Sequence, residues 1–357
     1  MTRPMRVDML PVVINGAHGE GGGALLRTAL AMSALTQQAL RVNNVRGAMR
    51  RKGLNSEDLT FLQVLAASTL ANVVGDELES ELLVFEPQSA PRKVDGTFDV
   101  GSHEKGVVPG SAVVIAESLL PVLSRCGAFS RLTLSGESHG SGTLGLDAWQ
   151  RVTLAAHREQ GVCAFPNLEW AGFGFGSKGQ ITVEFEPSMP AAIAWAERGG
   201  LRTLGAVLTL ADVAPDVGVR GAKRLSQHFA ERGLEVEVSV VDVRSRTPGV
   251  SVTLWAEFEH GAGSGTALGQ RGLRMELVVD QAVRNFDEWF STEATVDLFL
   301  ADQLLPIAAL AEGRTVYTTP KVTRRLVTMA WVIKQFMPVH ITIKGGEGYP
   351  GTVTVER

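Results

Sequence analysis

Glycines 16, 19, 21, 22 and 23 surround a single carboxylate, Glu20, immediately ahead of an apolar run with helical spacing from Ala24 to Leu35. A helix that begins after such a run offers unpaired backbone N–H groups and the positive end of its dipole with no side chains in the way, which suits a phosphate at Gly21, Gly22 and Gly23. Glu20 opposes a phosphate by charge and makes better sense as the ligand of a divalent cation that bridges to phosphate oxygens. A purely conformational glycine turn is the other reading, and both stay open here. Arg27, one turn into the helix, either reaches an anion or pairs with a surface carboxylate. Arg46, Arg50, Arg51 and Lys52 place four cations within seven residues, enough to grip an RNA or nucleotide phosphate or simply to solvate a loop.

Other chemistries lack their patterns. No Lys-Ser/Thr comes after the glycines, so this is not a Walker loop. Gly174 to Gly179 spells GxGxxG, but a strand-like segment comes next where the dinucleotide fingerprint needs a helix. There is no HExxH and no serine-hydrolase elbow; among the histidines, His18 and His139, each beside glycines, are expected nearest to chemistry. Cys126 and Cys163 stand far apart, which excludes a disulfide framework and a structural zinc and points to a reducing cytoplasm. With 34 Lys+Arg against 38 Asp+Glu the net charge is −4, which excludes coating a duplex by bulk charge but not a local phosphate pocket. No stretch reaches membrane-spanning length and the first residues lack a signal-length apolar run, so a soluble chain is expected.

Hydrophobic period supplies the framework around these residues. Strands at Val12 to Ile14 and Val42 to Val45, helices from Ala24 and from Asn55 to about Leu70, and strands at Leu82 to Phe85 and Thr97 to Val100 give the order βαβαββ. The order recurs from Ala112 to Glu186 and again from Val296 to Glu356. Between them a segment with strands at Leu204 to Leu210 and Ser251 to Phe258 and a helix from Val217 to Arg232 breaks the pattern. The expected fold is α/β (α+β): a large domain of three βαβαββ-type units over residues 1–187 and 284–357, with a small α/β domain, 188–283, inserted before the third.

Asn15 to Gly23 followed by Leu26-Arg27-Thr28 resembles the opening block of the RNA 3′-terminal phosphate cyclases. Trp255 to Phe258, Ala267-Leu268-Gly269 and Leu300-Ala301-Asp302-Gln303-Leu304-Leu305-Pro306 resemble later blocks of that family in the same order, so the likeness covers nearly the whole chain. It implies that ATP and Mg2+ (or Mn2+) drive conversion of an RNA 3′-phosphate into a 2′,3′-cyclic phosphodiester through an enzyme-linked AMP and an adenylylated RNA end. Carried over by position, Glu20 is the metal ligand, Arg27 and Arg46 face phosphates, and Phe299, Asp302 and Gln303 lie in the adenosine pocket, Phe299 replacing a tyrosine. The expected partners are ATP and an RNA 3′ end, with no membrane, and the expected assembly is a homodimer.

Two departures fall at that site. Aligning Lys334 to Val339 with the family's phrase puts Arg325 where the AMP-accepting histidine belongs, and a guanidinium stays protonated at any working pH. Glu117 replaces a glutamine and brings a negative charge toward the nucleotide. A cyclase, or a close variant transferring AMP without that histidine, is therefore set against a catalytically inactive cyclase-like protein that binds RNA during its processing. An enolpyruvyl transferase built from similar units is a weaker third, lacking the polar blocks of that class.

Overall fold

The computed structural model describes residues 10–101, 110–140, 142–174 and 178–357. Positions 175–177 of the GxGxxG pattern lie outside the described residues, and the chain from Gly179 onward forms a strand, as expected.

One order of elements occurs three times. The first unit runs β1 (Val12–Asn15), α1 (Gly23–Thr36), β2 (Leu40–Asn43), α2 (Ser56–Thr69), β3 (Asn72–Val74) and β4 (Leu82–Glu86). The second runs β5 (Asp95–Asp99), α3 (Ala112–Leu123), β6 (Ser130–Gly136), a helix in three pieces, then β7 (Ala164–Trp170) and β8 (Gly179–Phe185). Those pieces are α4 (Leu146–Ala148), a π-helical turn (Trp149–Thr153) and α5 (Leu154–Glu159). The third opens with β9 (Ala194–Trp195) and is interrupted by β10 (Leu201–Ala211), α6 (Pro215–Ala230), β11 (Glu237–Asp242), β12 (Gly249–Phe258), β13 (Gly261–Leu268) and α7 (Met275–Phe290). It resumes with α8 (Leu298–Leu310), β14 (Arg314–Thr319), α9 (Arg324–Phe336), β15 (His340–Lys344) and β16 (Gly351–Glu356).

The three sheets have equivalent orders, β1-β2-β4-β3, β5-β6-β8-β7 and β9-β14-β16-β15. In each, the first two strands are parallel and the other pairings antiparallel. A parallel pair needs a crossover, and α1 and α3 supply it in the first two units. The mixed α/β repeat read from periodicity is thus present, with two corrections. The strand expected to close the first unit, near Thr97, instead opens the second; the missing member is β3, a half-exposed edge of three residues, too short to show an alternation. The inserted segment does not precede the third unit but lies inside it, because Val316 and Tyr317 of β14 pair with Ala194 and Trp195, residues expected in the insert. At the other end α7 runs across position 283.

Helix α1 packs on α2, α3 and α9, and α8 packs on α9, over a common apolar core that includes Ile14, Leu30, Phe61, Leu120 and Leu305. The insert has its own core of Leu225, Phe229, Leu254, Val279, Phe286 and Trp289. Among the described residues no helix is long and apolar enough to cross a membrane.

Candidate active site

A cavity of about 310 Å³ opens where α1, α3, α8 and α9 meet. Its walls include Glu20, Gly23, Arg27, Arg46, Glu117, Phe299, Asp302, Gln303 and Arg325. Gly21 and Gly22 are not among the lining residues; Gly21 holds a left-handed turn (φ +58°) in which a Cβ would collide with the Ala48 side chain, so it shapes the loop rather than touching a ligand.

The glycine loop is pinned to α9, where the Glu20 backbone N–H donates to Thr328 Oγ1 at 2.9 Å. The helix start differs from the open cradle expected, because Oε1 of Glu20 itself accepts the Leu25 N–H at 3.1 Å. A Cβ at Gly23 would stand 2.6 Å from Nη1 of Arg27, so a side chain there would push the guanidinium aside. Arg27 is held there by Asp58 (3.4 Å) and Glu57 (3.6 Å). Asp58 also receives Nη1 of Arg46 at 3.3 Å, so one fully buried carboxylate anchors both arginines. Burial pushes its carboxyl up, against the pull of Arg27 and Arg46. Asp58 and Asn55 cap each other at the start of α2, which fixes the carboxylate in place. Arg46 has φ +52°, a backbone region unfavourable to any side chain but glycine, so the turn is strained where it presents its cation.

Asp302 lies on α8, nearly buried, and its Oδ1 accepts the Thr323 hydroxyl at 2.9 Å while Thr323 also caps α9. Burial pushes its carboxyl up to about 7, opposed by Arg325 and the Thr323 hydrogen bond and reinforced by Asp297 and Glu20. Arg325, in the first turn of α9, has its side chain half exposed to the cavity.

The far end of the cavity is apolar, with Ala31, Met32, Pro121 and Pro306. Pro121 and Pro306 stand inside α3 and α8 and have no N–H to give the carbonyls of Glu117 and Asp302 four residues back. The segments Glu117-Ser118-Leu119-Leu120-Pro121 and Asp302-Gln303-Leu304-Leu305-Pro306 are repeats of one another in consecutive units, a signal present in the sequence. Glu117 does not carry a bare charge there. Its Oε1 lies 2.9 Å from His157 Nε2 and its Oε2 accepts the Trp149 indole N–H at 2.7 Å. Burial disfavours a charged His157, yet Glu117 and Gln160 on its two ring nitrogens hold its pKa above the ordinary value, which favours its charged form opposite Glu117. Oε1 of Gln303 accepts the Thr153 hydroxyl at 2.7 Å, which leaves its amide N–H groups for a ligand. Trp149 and Thr153 are the ends of the π-helical turn, and the sequence carried no signal for that turn.

His18 and His139, expected nearest to chemistry, are placed otherwise. His18 stacks on Trp331 with ring centroids 3.9 Å apart, whereas His139 is buried between Ser138 (2.8 Å) and Asp147 (3.2 Å). His340 is on the following strand with Thr342 as its neighbour. Among the described residues no three His, Cys, Asp or Glu gather as a metal cluster. Glu20, with one oxygen committed to Leu25, supplies a single carboxylate, which suits a cation that takes its other ligands from phosphate and water.

The family profile of RNA 3′-terminal phosphate cyclase matches residues 18–343. The chain is 31% identical to the RNA 3′-terminal phosphate cyclase of Nostoc punctiforme over 91% of its length and 94% of that protein. It is 29% identical to that of Methylococcus capsulatus (96% and 95%) and 30% identical to that of Archaeoglobus fulgidus (94% and 98%). Against the enolpyruvyl transferase NikO of Streptomyces tendae, identity is 11% and the TM-score 0.38 over 97% of this chain and 48% of that one, too low to bear on the fold. The chain belongs to the RNA 3′-terminal phosphate cyclase family.

Proposed function

We propose that the protein is an ATP-dependent RNA 3′-terminal phosphate cyclase that forms a 2′,3′-cyclic phosphodiester through an adenylylated RNA end, without an enzyme-linked AMP. The reading rests on one observation: Glu20, Arg27, Arg46, Asp302, Gln303 and Arg325 share a single cavity. The omission of an enzyme-linked AMP follows from the resemblance, which puts the guanidinium of Arg325 where the family has its AMP-accepting histidine. A 3′-phosphate oxygen attacks the α-phosphorus of ATP and pyrophosphate leaves. The 2′-hydroxyl oxygen then attacks the activated 3′-phosphorus, gives up its proton, and AMP leaves. Little covalent work falls to the protein; it positions the phosphates and neutralises charge. Arg27 and Arg46 hold the RNA phosphate, and Arg325 holds the phosphate chain of the nucleotide. The base enters the apolar end, where the Gln303 amide donates and the Glu117 carboxylate accepts, with Phe299 as a stacking face. Glu20 holds Mg2+ or Mn2+, which supplies further charge neutralisation.

The test is α-labelled ATP with an RNA ending in a 3′-phosphate. A cyclic end should form with release of AMP, while mass spectrometry of the protein after ATP alone should show no added AMP. RNA binding without any cyclisation leaves the non-catalytic reading instead. A homodimer belongs to the same proposal and is read by sedimentation equilibrium.

A further inference from the structure

A second cavity, of about 740 Å³, lies between the inserted body and the second repeat unit and shares Thr143, Leu144 and Phe299 with the first. One of its walls is a stripe of α7 at i, i+4, i+7 and i+11: Leu277, Gln281, Arg284 and Glu288. Leu277 is 42% exposed, Leu273 just ahead of the helix 43%, and Phe299 at the junction 43%, which leaves three apolar faces open along the cleft. The polar groups between them are ordered as a ladder. Arg284 Nη2 donates to Gln281 Oε1 at 2.7 Å, Gln281 Nε2 to Asn285 Oδ1 at 2.8 Å, and Asn285 Nδ2 to the Thr266 carbonyl at 2.8 Å. Among the described residues no carboxylate lies within ion-pair distance of Arg284, whereas Arg224 and Arg232 of the same body are each paired, with Asp280 and Asp287.

We infer that this cleft carries the RNA nucleotides upstream of the reacting 3′ end, with Arg284 on the backbone phosphate, Phe299 as the base-stacking face, and Leu273 and Leu277 as apolar contacts for the bases. The inference rests on the function proposed above, and it is the continuity of the two cavities at Phe299 that selects RNA as the occupant. A cation without a carboxylate partner beside an exposed aromatic ring is how single strands are held without sequence preference. Arg284 is kept straight by Gln281 rather than neutralised, so its charge is available to a phosphate. Glu288 at one end of the stripe adds a like charge to RNA and favours a path that crosses the helix near Arg284 instead of following it to its end.

The experiment compares a dinucleotide and an octanucleotide, both ending in a 3′-phosphate, on the full chain and on Arg284→Ala, Arg284→Lys and Gln281→Ala. The wild type should show a lower KM for the octanucleotide. Arg284→Ala should raise that KM about tenfold with kcat unchanged, leave the dinucleotide untouched, and reduce the slope of log affinity against log salt by about 0.7, the share of one single-strand phosphate. Arg284→Lys should keep the slope. An octanucleotide no better than the dinucleotide, or an Arg284→Ala loss equal for both, overturns the inference. Filter binding of the octanucleotide without ATP reads the cleft even if no RNA is cyclised, so a failure of the catalytic proposal and a failure of the cleft are told apart.

Discussion

Nη1 of Arg325 lies 3.8 Å from Oδ2 of Asp302, a carboxylate whose other side-chain partner among the described residues is Thr323. An imidazole at position 325 would meet the same carboxylate, which orients a ring and stabilises its charged form. Arg325→His is therefore expected to gain one AMP on exposure to ATP, read by intact mass. A variant that folds and binds ATP yet stays unmodified removes the pocket from the proposal.

The raised Asp302 carboxyl makes a pH prediction with a definite sign. Its pKa rises from the ordinary carboxylate value to about 7, so the folded chain binds more protons than the unfolded one between about 4 and 7. Stability then falls as pH climbs through that window, and Glu137, also pushed to about 7 by burial and by Glu57, adds to the slope. Asp302→Asn should flatten the curve, measured as urea midpoints between pH 4.5 and 8. An unchanged slope in that variant would contradict the assignment.

Asp58 holds Arg27 and Arg46 from beneath, both largely buried. Asp58→Ala leaves two cations without their anchor and removes half of the α2 cap, and should cost roughly 3–5 kcal/mol in urea denaturation. Asp58→Asn keeps the cap geometry and should be milder, while still raising KM for the RNA. A loss below about 1 kcal/mol for the alanine variant would show that the anchor is not structural.

The charge at Glu117 predicts a shift on a different residue. In Glu117→Gln the buried His157 loses its anion, so its imidazole pKa should drop, followed by NMR of the ring protons. The raised pKa contributes stability below the ordinary histidine value that is lost as pH rises through the folded pKa, so the variant should lose stability chiefly on the acid side. A His157 titration identical to wild type would sever the pair.

Helices α1, α2, α3, α8 and α9 were legible because their apolar spacing is regular, and fall within a few residues of the sequence reading, whereas α7, 16 residues long, was not foreseen. Strands β3, β7, β9 and β13 were not foreseen. β3 and β9 span three residues and two, and β13 is glycine-rich, so neither alternation nor β-branching marks them. At the site, Glu20, Arg27, Arg46, Phe299, Asp302 and Gln303 were visible as parts of motifs. Their supports were not: His157 and Thr153 belong to another helix and gain meaning only when the chain folds back on itself. Asp58 had a local sign, the reciprocal cap with Asn55, but nothing in the spacing ties it to two arginines.

Each repeat contributes one helix-to-helix ion pair at this junction: Arg27 to Asp58, Glu117 to His157, and Asp302 to Arg325. A chamber built from three contributors has no partial version. Deleting any one repeat takes away a wall and a counter-charge together, so activity should vanish in a single step rather than erode. A chain re-spliced at the joints between repeats, with new termini but every contributor kept, should retain it.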